Sequence, residues 1–154
     1  MNTGVACNRT VVCIDASETI QDAANLMRVH HVGDLVITRW DDTARIPTGI
    51  ITDRDLVLEV MAPGLDSDAV CVGDLFAGPD LVLAHVEDEL EATIDKMRTH
   101  GVRRIPVVST AGHLVGVITM DDILGIITEQ LTDMVTLIER QTELEARRRS
   151  SRTA

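Results

Sequence analysis

The sequence predicts an α/β protein of the α+β kind: two tandem β-α-β-β-α subdomains packed as one pseudo-two-fold module, then a long C-terminal helix. Three observations predict it. A seven-residue phrase is written twice, as Gly49-Ile50-Ile51-Thr52-Asp53-Arg54-Asp55 and Gly116-Val117-Ile118-Thr119-Met120-Asp121-Asp122. Upstream, Ile20-x-x-Ala23-Ala24-x-x-Met27-x-x-His30 matches Leu90-x-x-Thr93-Ile94-x-x-Met97-x-x-His100 at an offset of 70. Downstream, Ile127, Leu131, Met134 and Ile138 recur in steps of four and three, the seam of a helix. The repeat is too long for a solenoid, and neither half is large enough to bury a sufficient core alone.

In the first copy, Val11-Val12-Cys13-Ile14 enters as a strand. Thr19-x-x-Asp22 reads as a capping box for a helix whose apolar stripe is Ile20, Ala23, Ala24 and Met27. Leu35-Val36-Ile37-Thr38 is the next strand, Trp40 to Arg45 the turn, and the following strand runs into the repeated phrase. A helix then begins at Asp55, and Pro63-Gly64 stops the half. Val72-Gly73-Asp74-Leu75-Phe76 reads as a short helical entry to the second copy. There Leu81-Val82-Leu83-Ala84 is the entering strand, Asp88-x-x-Glu91 a second capping box, and Ile105-Pro106-Val107-Val108 the next strand. The turn is Ser109 to His113, and the last helix starts at Asp122. Between the two phrases the offset is 67, so the first copy has the longer turn. The divisions are 1–64, 65–127 and a helical extension 128–154 that closes on Arg147-Arg148-Arg149.

With 154 residues and 45% apolar content the chain has enough for a buried core. A net charge of -11 argues against a nucleic-acid partner, which needs a basic face. The terminal arginines suit a helix C-terminus instead. No apolar run is long enough to span a bilayer, and Met1-Asn2-Thr3-Gly4 does not open a secretory signal. The expected location is cytoplasmic. Cys7, Cys13 and Cys71 lack CxxC spacing and read as packing thiols, so no metal is expected. Trp40 and Phe76 are the two aromatic residues, which argues against base stacking as a means of recognition.

The repeated phrase has two readings. As structure, Thr-x-x-Asp caps a helix start and favours its positive end. As a site, a hydroxyl beside helix N–H groups suits a phosphate, and a carboxylate one turn away suits ribose hydroxyls. The preceding glycine allows close backbone approach.

On these motifs the chain resembles a tandem pair of cystathionine-β-synthase (CBS) domains, the Bateman module. The resemblance covers roughly Thr10 to Ile127. It rests on Gly-h-h-Thr-x-x-Asp in both halves (h, apolar), on Met-x-x-His closing each first helix, and on Val102-Arg103-Arg104-Ile105-Pro106-Val107-Val108. It implies a regulatory module whose clefts bind adenosine-containing ligands such as AMP, ATP, NAD(H) or S-adenosylmethionine. By that pattern Thr52 and Thr119 meet phosphate and Asp55 and Asp122 the ribose. Val12, Cys13, Val82 and Leu83 line base pockets with Leu35, Val36, Ile105 and Pro106. A homodimer formed through helices is implied too, as is an effector protein that the chain does not identify.

Where the second half has Arg103-Arg104-Ile105-Pro106, the first has Gly33-Asp34-Leu35-Val36, an acid in place of a base. Like charge there disfavours a polyphosphate, with Arg54, Arg9, His30 and His31 available to compensate. The two sites are expected to be unequal. Two rival readings stand beside the sensor. One is an enzyme using Asp53 with Asp55 or Asp121 with Asp122, for which no nucleophile and base are apparent, so the expectation is no enzyme. The other is an interaction scaffold with degenerate nucleotide pockets.

Overall fold

The structure, a computed structural model, describes residues 1–76 and 81–152. It divides into two compact units, Met1–Thr119 and the segment from Met120 on. In the first unit the order is α1 (Thr3–Ala6), β1 (Cys13–Asp15), α2 (Ile20–His30), β2 (Asp34–Trp40) and β3 (Arg45–Thr52). Then α3 (Asp53–Asp55) continues as a π-helical stretch, Leu56–Met61, and a 3-10 turn spans Val72–Leu75. The second copy follows as β4 (Ala84–His85), α4 (Leu90–His100), β5 (Arg104–Val108) and β6 (Leu114–Thr119). The second unit is the helix α5, Met120–Arg152.

Each copy forms its own three-stranded sheet, β1-β2-β3 and β4-β5-β6, with the first pair parallel and the second antiparallel. The entering strands start later than the apolar runs suggest, at Cys13 and Ala84, because only there does the chain align with β2 and β5. Both sheets carry a bulge at the same place. Ile37 faces Gly49 and Thr38 faces Pro47, leaving Thr48 unmatched; Val107 faces Gly116 and Val108 faces Leu114, leaving Val115 unmatched. A bulge re-aims the side chain it displaces. The stripe Ile20, Ala23 and Met27 is buried against Ile14, Leu35, Ile37 and Ile51. Burying one such side chain stabilises the fold by about 1.5–3 kcal/mol.

Two leader segments join the halves, and each docks on the other's half. At the N-terminus, the Thr3 and Gly4 N–H groups donate to Asp88 and Val86 carbonyls at 2.8 and 3.0 Å. In the connection, the Val72 and Gly73 N–H groups donate to Glu18 and Ala16 carbonyls, both at 2.8 Å. The 3-10 turn read as an entry to the second copy thus packs on the first, with Val72 fully buried in its core. The short helix α1 was not foreseen, since four residues carry no periodic signal. Gly4 and Gly73 explain themselves here: an added Cβ would lie 2.8 Å from Val86 Cβ and 3.0 Å from Ala16 O respectively.

Helix starts also differ from expectation. Thr19 and Asp22 form the reciprocal capping box, the Asp22 N–H donating to Thr19 Oγ1 at 3.1 Å. Asp88 does not cap α4. Its carboxylate is taken by Lys96 Nζ at 2.7 Å and the His85 N–H at 2.9 Å, and Glu89 stands at the cap position without a side-chain capping bond, its carboxylate accepting instead from the Met1 ammonium at 3.3 Å. The Leu90 N–H donates to the Met1 carbonyl instead, at 3.0 Å. The helices after the repeated phrase begin at Asp53 and Met120, two residues before the expected Asp55 and Asp122.

Candidate functional site

A cleft of about 700 Å³ opens within the first unit, between elements of the two copies. From the first copy come Thr48, Gly49 and Ile50 of β3, then Thr52, Asp53 and Arg54 at the strand-to-helix corner. From the second come Leu81 and Val82 ahead of β4, and Gly101, Val102, Arg103 and Arg104 between α4 and β5. Phe76 completes the wall. The volume falls within the 300–1,000 Å³ typical of small-molecule sites.

The strand-to-helix corner is closed by its own hydrogen bonds. Asp55 Oδ2 accepts from the Thr52 N–H at 2.7 Å and from Thr52 Oγ1 at 2.8 Å, while the Asp55 N–H donates to Thr52 Oγ1 at 3.3 Å. The capping reading of Thr-x-x-Asp therefore describes the first copy as it stands. Asp53 is likewise engaged at its Oδ1, which accepts from the Arg54 N–H at 2.8 Å. Its neighbour Gly33 leaves it room, since a Cβ there would lie 3.3 Å from Asp53 Oδ2.

Of the expected site residues, Thr52, Arg54, Val82 and Arg104 line the cleft. Asp55 does not. Leu35, Val36 and Ile105 are at most 1% exposed, and Pro106 is buried beside Ile105, so these strand residues serve the core. Val12 packs against the first copy's core. Cys13 is half-buried, and desolvation raises its thiol pKa despite the opposing effect of Arg45 nearby. The Leu83 carbonyl accepts from Lys96 Nζ at 3.1 Å. Thr119 closes β6, and Asp122 lies in the first turn of α5.

As ligand-contacting residues the sequence reading passed over Thr48, Phe76, Leu81, Val102 and Arg103, and it named Asp53 only as a rival catalytic acid. The bulge that brings Thr48 to the wall has no local sequence signature. Arg103 stood in view as part of the second-half motif Val102-Arg103-Arg104-Ile105-Pro106, and Phe76 as one of two aromatic residues. Phe76 packs against the first copy's core and also lines the cleft, bringing an aromatic residue to a site where the low aromatic content had argued against one.

The glycine opening each phrase has a structural cause. A Cβ at Gly116 would lie 2.6 Å from Asn8 O and 2.8 Å from Cys7 Sγ. The close approach is therefore made by the chain's own leader, whose Asn8 bridges Val117. At Gly49 a Cβ would meet only the end of Ile37, at 3.0 Å from Cδ1.

Across the two copies, Asp34 at the start of β2 and Arg104 at the start of β5 occupy equivalent positions and are ion-paired to each other. The acid that replaces a base in the first copy is thus the partner of that base in the second. Asp41 and His113, from the two hairpin turns, form another link at 3.0 Å.

Two sheet-bearing repeats, exchanged leaders and a cleft shared between copies define a tandem repeat pair. The CBS domain model matches residues 5–62 and 72–129, and the chain belongs to the CBS domain family. An uncharacterised protein of Methanopyrus kandleri is 34% identical over 82% of this chain and 62% of its own, so this chain spans under two thirds of that relative. Hypoxic response protein 1 of Mycobacterium tuberculosis is 36% identical over 75% of this chain and 78% of its own. A crystal structure of Hypoxic Response Protein I with two coordinated zinc ions superposes with a TM-score of 0.68 at 33% identity, covering 80% of this chain and 97% of that one. A CBS domain protein of Pyrobaculum aerophilum complexed with AMP gives 0.70 at 26% identity, covering 86% and 99%. Among the described residues of this chain, no three His, Cys, Asp or Glu side chains gather as a metal site, and no helix is long and apolar enough to cross a membrane.

Proposed function

We propose that this CBS pair is a regulatory module that binds an adenosine-containing ligand in the cleft at Thr52, AMP being the simplest candidate. One observation carries the reading: three arginines, Arg54, Arg103 and Arg104, line one cleft of about 700 Å³ together with Ile50, Phe76, Leu81, Val82 and Val102. Arginine is suited to phosphate through charge-assisted, bidentate bonds, and the apolar surfaces and ring suit a purine. The AMP complex of a 26% identical relative supports it. Arg54 makes no ion pair within the described residues, which leaves its charge for a ligand.

Occupancy of a cleft built from both copies changes how they pack, and an effector protein would read that change. The module is proposed to work as a homodimer. Ile127, Leu131, Met134 and Ile138 of α5 are 40–63% exposed, a seam that favours burial against a second copy. Truncation after Gly125 with light scattering tests this: a truncated chain as firmly dimeric as the full one removes α5 from the interface.

The ligand is tested by thermal shift and calorimetry with AMP, ATP and NAD(H). Ligand at 100 times its dissociation constant adds about 2.7 kcal/mol, a rise in Tm of roughly 5–10 °C. No shift at millimolar concentration of any of them leaves the interaction-scaffold reading. That second reading has one observation in its favour, the internal closure of the Thr52–Asp55 corner.

A further inference from the structure

The two copies hold their entering segments by different means. In the first, the Val36 N–H donates to the Val12 carbonyl at 3.0 Å, and the parallel ladder begins with Cys13 opposite Val36. At the offset of 70 the equivalents of Val12, Cys13 and Val36 are Val82, Leu83 and Pro106. Proline has no N–H, so the bond to the Val82 carbonyl cannot form. The second ladder accordingly begins one position later, with Ala84 opposite Val107. Leu81, Val82 and Leu83 are left outside it, and Leu81 and Val82 line the cleft.

A side chain holds this segment instead. Lys96, the only lysine of the chain, stands in the middle of α4. Its Nζ donates to the Leu83 carbonyl at 3.1 Å and to Asp88 Oδ2 at 2.7 Å. Asp88 is fixed in turn by the His85 N–H at 2.9 Å, at the end of β4. In the first copy the equivalent of Lys96 is Leu26, which packs against that copy's core and offers no donor. The exit of α4 supplies Gly101, Val102, Arg103 and Arg104 to the same cleft. Lys96 thus ties together the two pieces of wall that the second copy contributes, one before β4 and one after α4. Charge-assisted bonds from a side chain on a regular helix fix a segment more firmly than its own loop backbone would.

We infer that Lys96 is a positioning residue of the ligand cleft, holding the Leu81–Leu83 wall in place of the ladder bond that Pro106 removes. Lys96 does not line the cleft, so it acts through the Leu83 carbonyl. Its role in binding rests on the ligand reading above.

Calorimetry with AMP on the full chain tests this in a cycle of Lys96→Met and Pro106→Val. The second change gives the second copy the N–H that Val36 supplies in the first. Lys96→Met should weaken AMP binding by about tenfold, equal to about 1.4 kcal/mol. With Pro106→Val already in place, the same change should weaken it by less than about threefold, because the restored ladder bond holds the wall. Lys96→Leu, the first copy's residue type, serves if the Met variant fails to fold, judged by circular dichroism. Undiminished AMP affinity in a folded Lys96→Met chain, whatever its loss in Tm, makes the bond structural only and overturns the inference while the ligand reading stands. An equal loss of affinity in both backgrounds overturns it too. Absence of AMP binding to the wild-type chain overturns the reading of AMP as ligand, and the role of Lys96 falls with it.

Discussion

On the first copy, the leader brings Val72 to a fully buried slot beside a core that includes Ala23. On the second, the equivalent residues are Thr3 and Thr93, both fully buried, and their hydroxyls share a hydrogen bond of 2.7 Å. The backbone bonds that hold the two leaders are the same in kind and within about 0.2 Å in length. Duplication has conserved the backbone plan. The side chains have diverged between an apolar solution and a polar one, and each works because no buried polar group is left without a partner. The same logic turns the Asp34–Arg104 difference into an ion pair between copies.

The largest contrast is expected at the two phrase glycines. Gly116→Ala drives a methyl group into Asn8 O and Cys7 Sγ, so the leader must lift from its bridge with Val117. A cost of about 3 kcal/mol follows, with Tm falling by roughly 10 °C. Gly49→Ala meets only the flexible end of Ile37 and should cost below about 1 kcal/mol. Equal Tm losses for the two variants would break the comparison.

A smaller effect sharpens the polar-versus-apolar contrast. Thr3→Val strands the Thr93 hydroxyl in the core at a cost of about 1–3 kcal/mol. Adding Thr93→Ala recreates the first copy's pair of residue types and should recover most of that loss in a denaturant-unfolding cycle. Strict additivity of the two changes would mean the hydroxyl pair is not the source of the coupling.

The smallest effect separates the hairpin turns by pH. Asp41 holds the first turn, accepting from the Thr43 N–H, the Ala44 N–H and the Thr43 hydroxyl at 2.8–2.9 Å. These bonds, with a smaller contribution from His113, hold its carboxyl well below the usual carboxylate range. The folded-state pKa is thus below the unfolded value of about 3.9. Its contribution is present above about pH 4 and is lost as pH falls toward the folded value. The second turn uses Gly112 at a φ of 81° in place of a carboxylate. Stability measured at pH 5 and pH 3 should therefore fall less in Asp41→Asn than in wild type, and a parallel fall in both would assign the acid sensitivity elsewhere.

Much of the fold was legible because it is periodic or repeated. The stripe Ile20, Ala23 and Met27, the capping box at Thr19 and the duplicated phrase each follow from local spacing. Asp88 shows the limit: it stands in capping-box spacing, yet Lys96 competes for its carboxylate and Met1 supplies the carbonyl that Leu90 needs. The site was legible in part. Thr52, Arg54, Val82 and Arg104 reach the cleft, while Leu35, Val36, Ile105 and Pro106 come from strands whose side chains the core claims.

The sequence by itself determined that the chain is a duplicated α+β pair with a helical tail, and which residue types stand at each strand-to-helix corner. Local hydrogen bonding and apolar periodicity depend on neighbours a few residues away, so they are written in spacing. Only the tertiary structure decided that each leader crosses to the other copy, that Asn8 fills the space at Gly116, and that Asp34 meets Arg104. Those contacts join residues 54 or more positions apart. Their existence depends on how two already formed halves bury their remaining surface, which no local pattern encodes.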